Sequence, residues 1–308
     1  MEEFEQSASS EIEPATSQPF TKRISDIFPG SVLRATAYPV LFLATLSVAM
    51  TALRYQWDPA RVSPIFLIGV VTYLVILEHL IPYERDWRPG AEEWRWYGVY
   101  FLLTMAGGAL AQGLVTTAVG VLSPADPALA LWQEIPCALL SGSLTGYLVH
   151  RLAHTHAWLW RLHGVHHVPQ KVNVANNGVN HVLDIVIEQG CVQLALALAG
   201  FSQESVFVVG LFVVAQGYFI HADIDVRFGW LNHALASPEQ HRLHHSTALS
   251  QAGHYGADLS VWDHLFGSFT WRPGIRPVAV GLRDPASFPG TGEIIAAHLH
   301  PWRRARKG

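Results

Sequence analysis

Long apolar stretches separated by short polar segments dominate the first half of the chain. Each is long enough for a helix across a ~30 Å hydrocarbon layer, which takes about 20 residues. They cover residues 35–53, 64–82, 98–122 and 128–149. A further apolar stretch, broken at 200–203, predicts a shorter hairpin or a re-entrant pair over 185–200 and 204–220. The pattern therefore predicts an all-α integral membrane protein with about four transmembrane helices and a possible extra hairpin.

Composition supports a membrane protein. Half of the 308 residues are hydrophobic, 14% are charged and the mean hydropathy is +0.22, which is too apolar for an ordinary soluble enzyme. Residues 1–30 are acidic and polar, and predict a disordered N-terminal tail and not a signal peptide. We divide the rest into a membrane-embedded domain, 31–275, and a C-terminal tail with a basic end, 276–308.

Basic residues predict the orientation of the chain. They precede the first apolar stretch, follow the second and close the chain, whereas the loop with Arg54 and Arg61 has fewer. Because basic loops stay on the cytoplasmic side, both termini and the histidine-rich region are expected there. The residues concerned are Lys22, Arg23, Arg34, Arg85, Arg88, Arg95, Arg303, Arg304, Arg306 and Lys307.

Fourteen of the seventeen histidines lie between residues 150 and 264. Residues three and four apart share one face of a helix, so a cluster with such spacing directs its rings to one side. A single histidine is usually a hydrogen-bonded core or surface residue. Eight imidazoles packed in an apolar region cannot satisfy all their ring nitrogens among themselves, and therefore indicate a site for one or two metal ions. The three clusters are His150-x3-His154, His163-x2-His166-His167 and His241-x2-His244-His245.

Two isolated histidines flank the predicted hairpin. His181 precedes it and His221 follows it, so a hairpin returns both to the membrane face of the clusters. We therefore include both as metal ligands, although a hydrogen-bonded core histidine is the alternative for each. His156, His233 and His264 are not expected to be ligands.

The order of these motifs resembles a known family. It consists of Tyr147-x2-His150-Arg151-x2-His154, His163-x2-His166-His167-x-Pro169, an isolated histidine on each side of an apolar hairpin, and His241-x2-His244-His245-Ser246. Farther along stand Tyr255-Gly256 and Leu259-Ser260-x-Trp262-Asp263-x-Leu265-Phe266-Gly267. Over about residues 64–270 the chain is similar to the fatty acid hydroxylase and sterol desaturase superfamily.

The sequence departs from the family pattern in three places. Residues 141–145 are small or neutral where relatives often have an acidic residue, and Val182 replaces a common proline. His254 occupies a place where asparagine is usual, and we interpret it as a polar substitute and not a further ligand.

The resemblance implies a membrane-embedded, non-haem diiron oxygenase that hydroxylates or desaturates a lipid C–H bond. O2 would be the co-substrate, and residues 31–275 would form the catalytic domain. Zinc has no redox chemistry, so a working site of this kind requires iron. No catalytic residue is expected beyond the ligands of the two irons, which would be His150, His154, His163, His166, His167, His181, His221, His241, His244 and His245.

Partners follow from the same interpretation. The sequence has no haem, flavin, iron–sulfur or dinucleotide-binding motif, so electrons must come from a separate donor protein. The substrate would be a membrane lipid: an acyl lipid, a sphingolipid, a sterol-like lipid or an aminolipid. Nucleic acid is not expected as a partner, and the sequence specifies no oligomeric state.

Carboxylates near the clusters are candidates to hold the imidazole rings, since a ligating histidine usually donates its other N–H to an acceptor. The candidates are Asp184, Asp223, Asp258 and Asp263. For Asp263 we favour the alternative, that it braces local structure.

Two other functions remain open from sequence. A membrane metal-binding or metal-transport protein also collects histidines, but transport calls for ionisable residues within several spans. The apolar stretches before residue 133 carry almost none besides Glu78 and His79. A zinc-loaded protein that retained the ligands without turnover is the other possibility.

Overall fold

The computed structural model describes residues 30–122 and 129–303, which form ten α-helices and several 3₁₀ turns. No β-strand occurs in these residues, only isolated bridges, so the all-α prediction is confirmed. The predicted tail over 1–30, apart from Gly30, lies outside the described residues. The helices are α1 (Gly30–Arg54), α2 (Pro59–Leu80), α3 (Ala91–Leu122), α4 (Leu131–Thr155), α5 (Ala157–His163), α6 (Val182–Leu198), α7 (Gln203–His221), α8 (Pro238–His244), α9 (Val261–Phe266) and α10 (Ile294–Leu299).

Four of these helices are long and apolar enough to cross a membrane, as predicted, but one of the four differs from the prediction. They are α1, α2, α3 over Ala91–Ala118, and α7, which was predicted as half of the hairpin. The predicted span at 128–149 corresponds to α4, which is not among them.

Polar residues explain why α4 differs. Its buried Glu134 accepts hydrogen bonds from the N–H (2.7 Å) and the hydroxyl of Ser202. Its last two turns carry His150, Arg151 and His154. Because α4 packs on α6 and α7, its inner face contacts protein and can be polar.

Helix packing distinguishes outer helices from inner ones. The apolar segments of α1, α2 and α3 are only 22–28% buried, and they present exposed side chains such as Leu43, Ile65 and Leu102. An apolar surface of this kind fits lipid. In α7, by contrast, 44% of the segment is buried, because α1, α2 and α4 all pack against it.

Close contact between α3 and α6 depends on glycine. A Cβ atom on Gly107 would lie 3.1 Å from the carbonyl oxygen of Val182 and 3.2 Å from Ile185. The absence of a side chain lets α3 approach the first turn of α6, where Asp184 is located.

The histidine-bearing ends of the helices converge at one end of the bundle. There the Glu78 carboxylate of α2 accepts hydrogen bonds from the backbone N–H groups of Val174 (2.7 Å) and Asp223 (2.9 Å). The short helices α5, α8, α9 and α10 form a cap over this end. Residues 276–303 pack onto the cap, since the Gly281 N–H donates to the His245 carbonyl at 2.9 Å. The division of the chain at 30 and 275 stays a prediction.

Candidate metal centre

Local sequence rules position the first five clustered histidines. His150 and His154 lie one turn apart at the end of α4, and His163 ends α5. The chain then turns tightly at Gly164, where a Cβ atom would overlap the ring of Phe288. This turn directs His166 and His167 back towards the bundle.

A capping box fixes the start of α8, which carries the last cluster. The Ser237 side chain accepts a hydrogen bond from the Gln240 N–H, and the Gln240 side chain accepts one from the Ser237 N–H. Pro238 occupies the first helical position, where its missing N–H is not needed. The helix begins at a defined residue, so His241, His244 and His245 have a defined orientation.

Nine of the ten predicted ligands come together in two adjoining groups. In each group, one ligand atom per residue lies within 4.8 Å of all the others. The groups touch where the rings of His167 and His245 stack with centroids 4.3 Å apart. The first histidine group contains His150, His154, His163, His167 and His244, and the second histidine group contains His166, His221, His241 and His245.

Backbone carbonyls and one carboxylate fix the orientation of five of these rings through Nδ1. His163 Nδ1 lies 2.9 Å from the Asp184 carboxylate. The other four Nδ1 atoms contact carbonyl oxygens at 2.7–3.3 Å. An Nδ1 that donates to an acceptor leaves Nε2 with a free lone pair. These pairs are His150 with Tyr255, His166 with Val179, His221 with Asn173, and His244 with Gly253.

The Nε2 atoms have the surroundings expected of metal ligands. Those of His154, His167, His221 and His244 are buried without any hydrogen-bond partner. His150 Nε2 and His163 Nε2 lie 3.1 Å apart although both Nδ1 atoms have acceptors. Two imidazole lone pairs at this distance repel unless a cation lies between them. Each group could therefore hold a metal ion.

Burial keeps five of the clustered histidines in the neutral form, which is the form that binds metal. It lowers the pKa of His166, His167, His241, His244 and His245 well below the ordinary value of 6.5, and neighbouring histidines lower it further. At neutral pH these imidazoles are neutral, so each offers a lone pair without first losing a proton.

The structure does not bring His181 to either group. His181 caps the start of α6, where its Nδ1 accepts the Leu183 N–H at 3.1 Å. Its Nε2 lies 3.0 Å from the His298 carbonyl, and the two rings stack. Both ring nitrogens are thus engaged.

The four candidate carboxylates have different neighbours. Asp184 alone contacts a clustered histidine directly. Asp223 accepts the Glu84 N–H at 3.0 Å, and Asp258 bonds the Ser143 hydroxyl and the Leu259 N–H. Asp263 accepts N–H groups from the segment 253–256, at 2.7 Å from Tyr255 and 2.9 Å from Gly256. It braces local structure, as we favoured from sequence, and that segment supplies the carbonyls for His150 and His244.

Two aromatic residues lie against the first histidine group. The ring centroid of Tyr255 lies 5.2 Å from that of His154, and its ring is also near His150 and His244; the ring centroid of Trp160 likewise lies 5.2 Å from that of His154. Tyr255 belongs to the Tyr255-Gly256 motif of the sequence, whereas nothing in the sequence pattern indicated that Trp160 contacts the first histidine group.

The remaining histidines lie outside both groups. His156 is exposed, and His233 stacks with His264 near the surface. His254 is 2% exposed, and neither of its ring nitrogens has a hydrogen-bond partner. Its φ of 63° is the left-handed conformation that asparagine also tolerates, which agrees with its interpretation as a substitute.

The histidine region lies within a segment that is similar to known proteins. A family model described as Fatty acid hydroxylase matches residues 135–268. The ornithine lipid hydroxylase OlsE of Rhizobium tropici is 29% identical over 283 residues, which are 84% of this chain and 85% of that protein. No solved structure matches the chain.

More distant similarity is confined to part of the chain. The alkylglycerol monooxygenase of Homo sapiens is 30% identical over 156 residues, 50% of this chain and 33% of that protein. The Danio rerio alkylglycerol monooxygenase is 30% identical over 188 residues, 59% of this chain and 39% of its own length. Residues 135–268 are therefore similar to the fatty acid hydroxylase family, and the resemblance to that superfamily is confirmed.

Proposed function

We propose that the protein is a diiron oxygenase that uses O2 to hydroxylate, or alternatively desaturate, a C–H bond of a membrane lipid. The observation that supports this most is the pair of adjoining histidine groups, with Nε2 atoms that converge and lack protein partners. Its relatives named above are a lipid hydroxylase and alkylglycerol monooxygenases, which supports lipid oxidation as the reaction class.

Iron, when bound, would supply the redox chemistry that activates O2, which amino-acid side chains lack. The first histidine group would hold one ion and the second the other. The residues around them have three tasks: Asp184 and the backbone carbonyls hold the rings in one orientation, the capping helices exclude water, and α4 and α6 lead from the bilayer to the site. His181 is left out of the proposed ligand set because both its ring nitrogens have partners.

Electrons would come from a separate donor protein, because the sequence offers no binding motif for an organic redox cofactor. Trp160 touches His154 and His167, both of the first histidine group. The donor would dock on the cap, which we place on the cytoplasmic side.

Metal transport is less well supported. The buried Glu78 of α2 does not line a path through the bundle, since its carboxylate accepts the backbone N–H groups of Val174 and Asp223 at the histidine-bearing end. The ligand candidates are concentrated at one end of the helices, which is typical of a fixed site and not of a pathway.

Intact-lipid mass spectrometry tests the proposal. Cells that express the protein should contain a lipid that has gained one oxygen atom, or lost two hydrogens, and the change should require O2. Cells that express the His244→Ala variant, which lacks a ligand of the first histidine group, should not. If folded, iron-loaded protein produces no oxygen-dependent change in any lipid, the proposed function is wrong.

A further inference from the structure

A carboxyl group that the proposed metal site does not use lies beside the first histidine group. Glu188 lies on α6, one turn after Asp184. One turn after Glu188, Val192 packs against Gly142 and Gly146 of α4. Residues four apart share a face of a helix. Glu188 therefore faces α4, the helix that carries two members of the first histidine group.

Glu188 has no partner among the described residues. None of them donates a hydrogen bond to it or forms an ion pair with it, and the charged groups that act on its carboxyl are Asp184, His163 and Asp258. Asp184 is already bonded to His163, and Asp258 to the Ser143 hydroxyl. Two further carboxyl groups thus share this region with Glu188, and no lysine or arginine of the described residues forms an ion pair with it.

The oxygens of Glu188 differ from the other unpartnered atoms near the site. His154 Nε2 and His244 Nε2 are fully buried within the first histidine group. The Glu188 side chain, by contrast, is only partly buried, and its oxygens are not among the fully buried atoms. Their partial exposure leaves them accessible to an incoming group. Ionising a partly buried carboxyl group without a partner is costly, and a bound cation with hydrogen-bond donors offsets this cost.

We propose that Glu188 binds the ammonium group of an aminolipid substrate. This rests on the proposed lipid oxygenation, and narrows its substrate to lipids with a free amine. An ammonium group supplies both the charge and three N–H donors. Bound between α4 and α6, it would hold carbons close to the headgroup beside the first histidine group and direct oxidation to them.

Glutamine at position 188 tests the charge with little change in shape. The purified iron-loaded protein is assayed with an aminolipid and with the same lipid after acetylation of its amine. The wild type should prefer the free amine in kcat/KM. Glu188→Gln should lower kcat/KM for the free amine by about tenfold or more, mainly through KM, and leave the two lipids nearly equal.

The matched control is Glu204→Gln, which removes an exposed carboxylate from the first turn of α7 and should behave as the wild type. Binding is followed separately by thermal unfolding: the free-amine lipid should stabilise the wild type more than it stabilises Glu188→Gln. Iron content should be equal in all three proteins.

Two results would overturn the inference while lipid oxygenation stands. One is a wild type that oxidises the acetylated lipid as well as the free amine. The other is iron loss from Glu188→Gln in step with its activity, which would make Glu188 a group that balances the metal charge. If the wild type oxygenates no lipid at all, the proposed function itself fails.

Discussion

At the residue scale, the orientation of each imidazole is the property on which metal binding depends. The three histidine clusters could be predicted from sequence because residues three and four apart share a helix face. The partners of Nδ1 could not be predicted, since four of the five are backbone carbonyls, some of them distant in sequence, such as Asn173 for His221. For the same reason, the sequence could not show that His181 lies outside both groups, because its partner is the distant His298 carbonyl.

The carboxylate of Asp184 provides a direct test of this orientation. Asp184→Asn keeps the shape but removes the charge that holds His163 Nδ1. We expect metal affinity or activity to fall about 10–100-fold, as is usual when such a partner is lost. Metal titration of the purified variant measures this. Asp86→Asn, at an exposed position, is the control, and equal affinities in the two variants would contradict the role of Asp184.

His254 makes the protein sensitive to acid. Burial lowers its pKa from 6.5 to about 4, so the unfolded chain binds a proton that the folded protein excludes. Its contribution to stability is complete above pH 6.5 and is lost as the pH falls towards 4, by at most about 3 kcal/mol. His254→Asn should therefore lose less thermal stability than the wild type between these pH values. An equal loss in both proteins would contradict this account.

At the element scale, position along a helix decides what a residue contacts. The apolar pattern located α1, α2 and α3, but it assigned the fourth span to α4 and not to α7. The bounds of the helices were needed to separate the two: over Gln203–His221 the mean hydropathy of α7 is 1.5, whereas polar residues such as Glu134 and Arg151 interrupt α4, which does not qualify as a span.

The segment 253–256 links α9 to the first histidine group. A Cβ on Gly256 would lie 2.5 Å from the Leu259 carbonyl and 2.6 Å from the Asp263 carboxylate. Gly256→Ala should displace the segment whose carbonyls hold His150 and His244, and lower the iron content measured by elemental analysis. Gly210→Ala on α7, where a Cβ meets nothing within 4 Å, should retain iron. Full iron content in Gly256→Ala would show that the segment does not hold these rings.

At the scale of the whole molecule, the convergence of helix ends places all proposed ligands at one end of the bundle. Arg85 and Arg88 follow α2 at this same end, and Arg54 and Arg61 lie at the other. From the excess of basic residues we expect the cap to be cytoplasmic. A reporter that is active only in the cytoplasm, fused at the C-terminus, should be active, whereas fusion between α1 and α2 should be inactive. The reverse result would place the cap on the other side.

The central claim, that paired iron ions in the two histidine groups oxidise lipid with O2, is tested most directly by labelled oxygen. The purified protein is loaded with iron or with zinc and supplied with a reductant, a lipid extract and isotopically labelled O2. We predict about two metal ions per chain in both forms and a labelled hydroxyl in one lipid class with iron only. If iron fills both groups and the lipids neither carry the label nor gain a double bond, or if they change equally with zinc, the claim is contradicted.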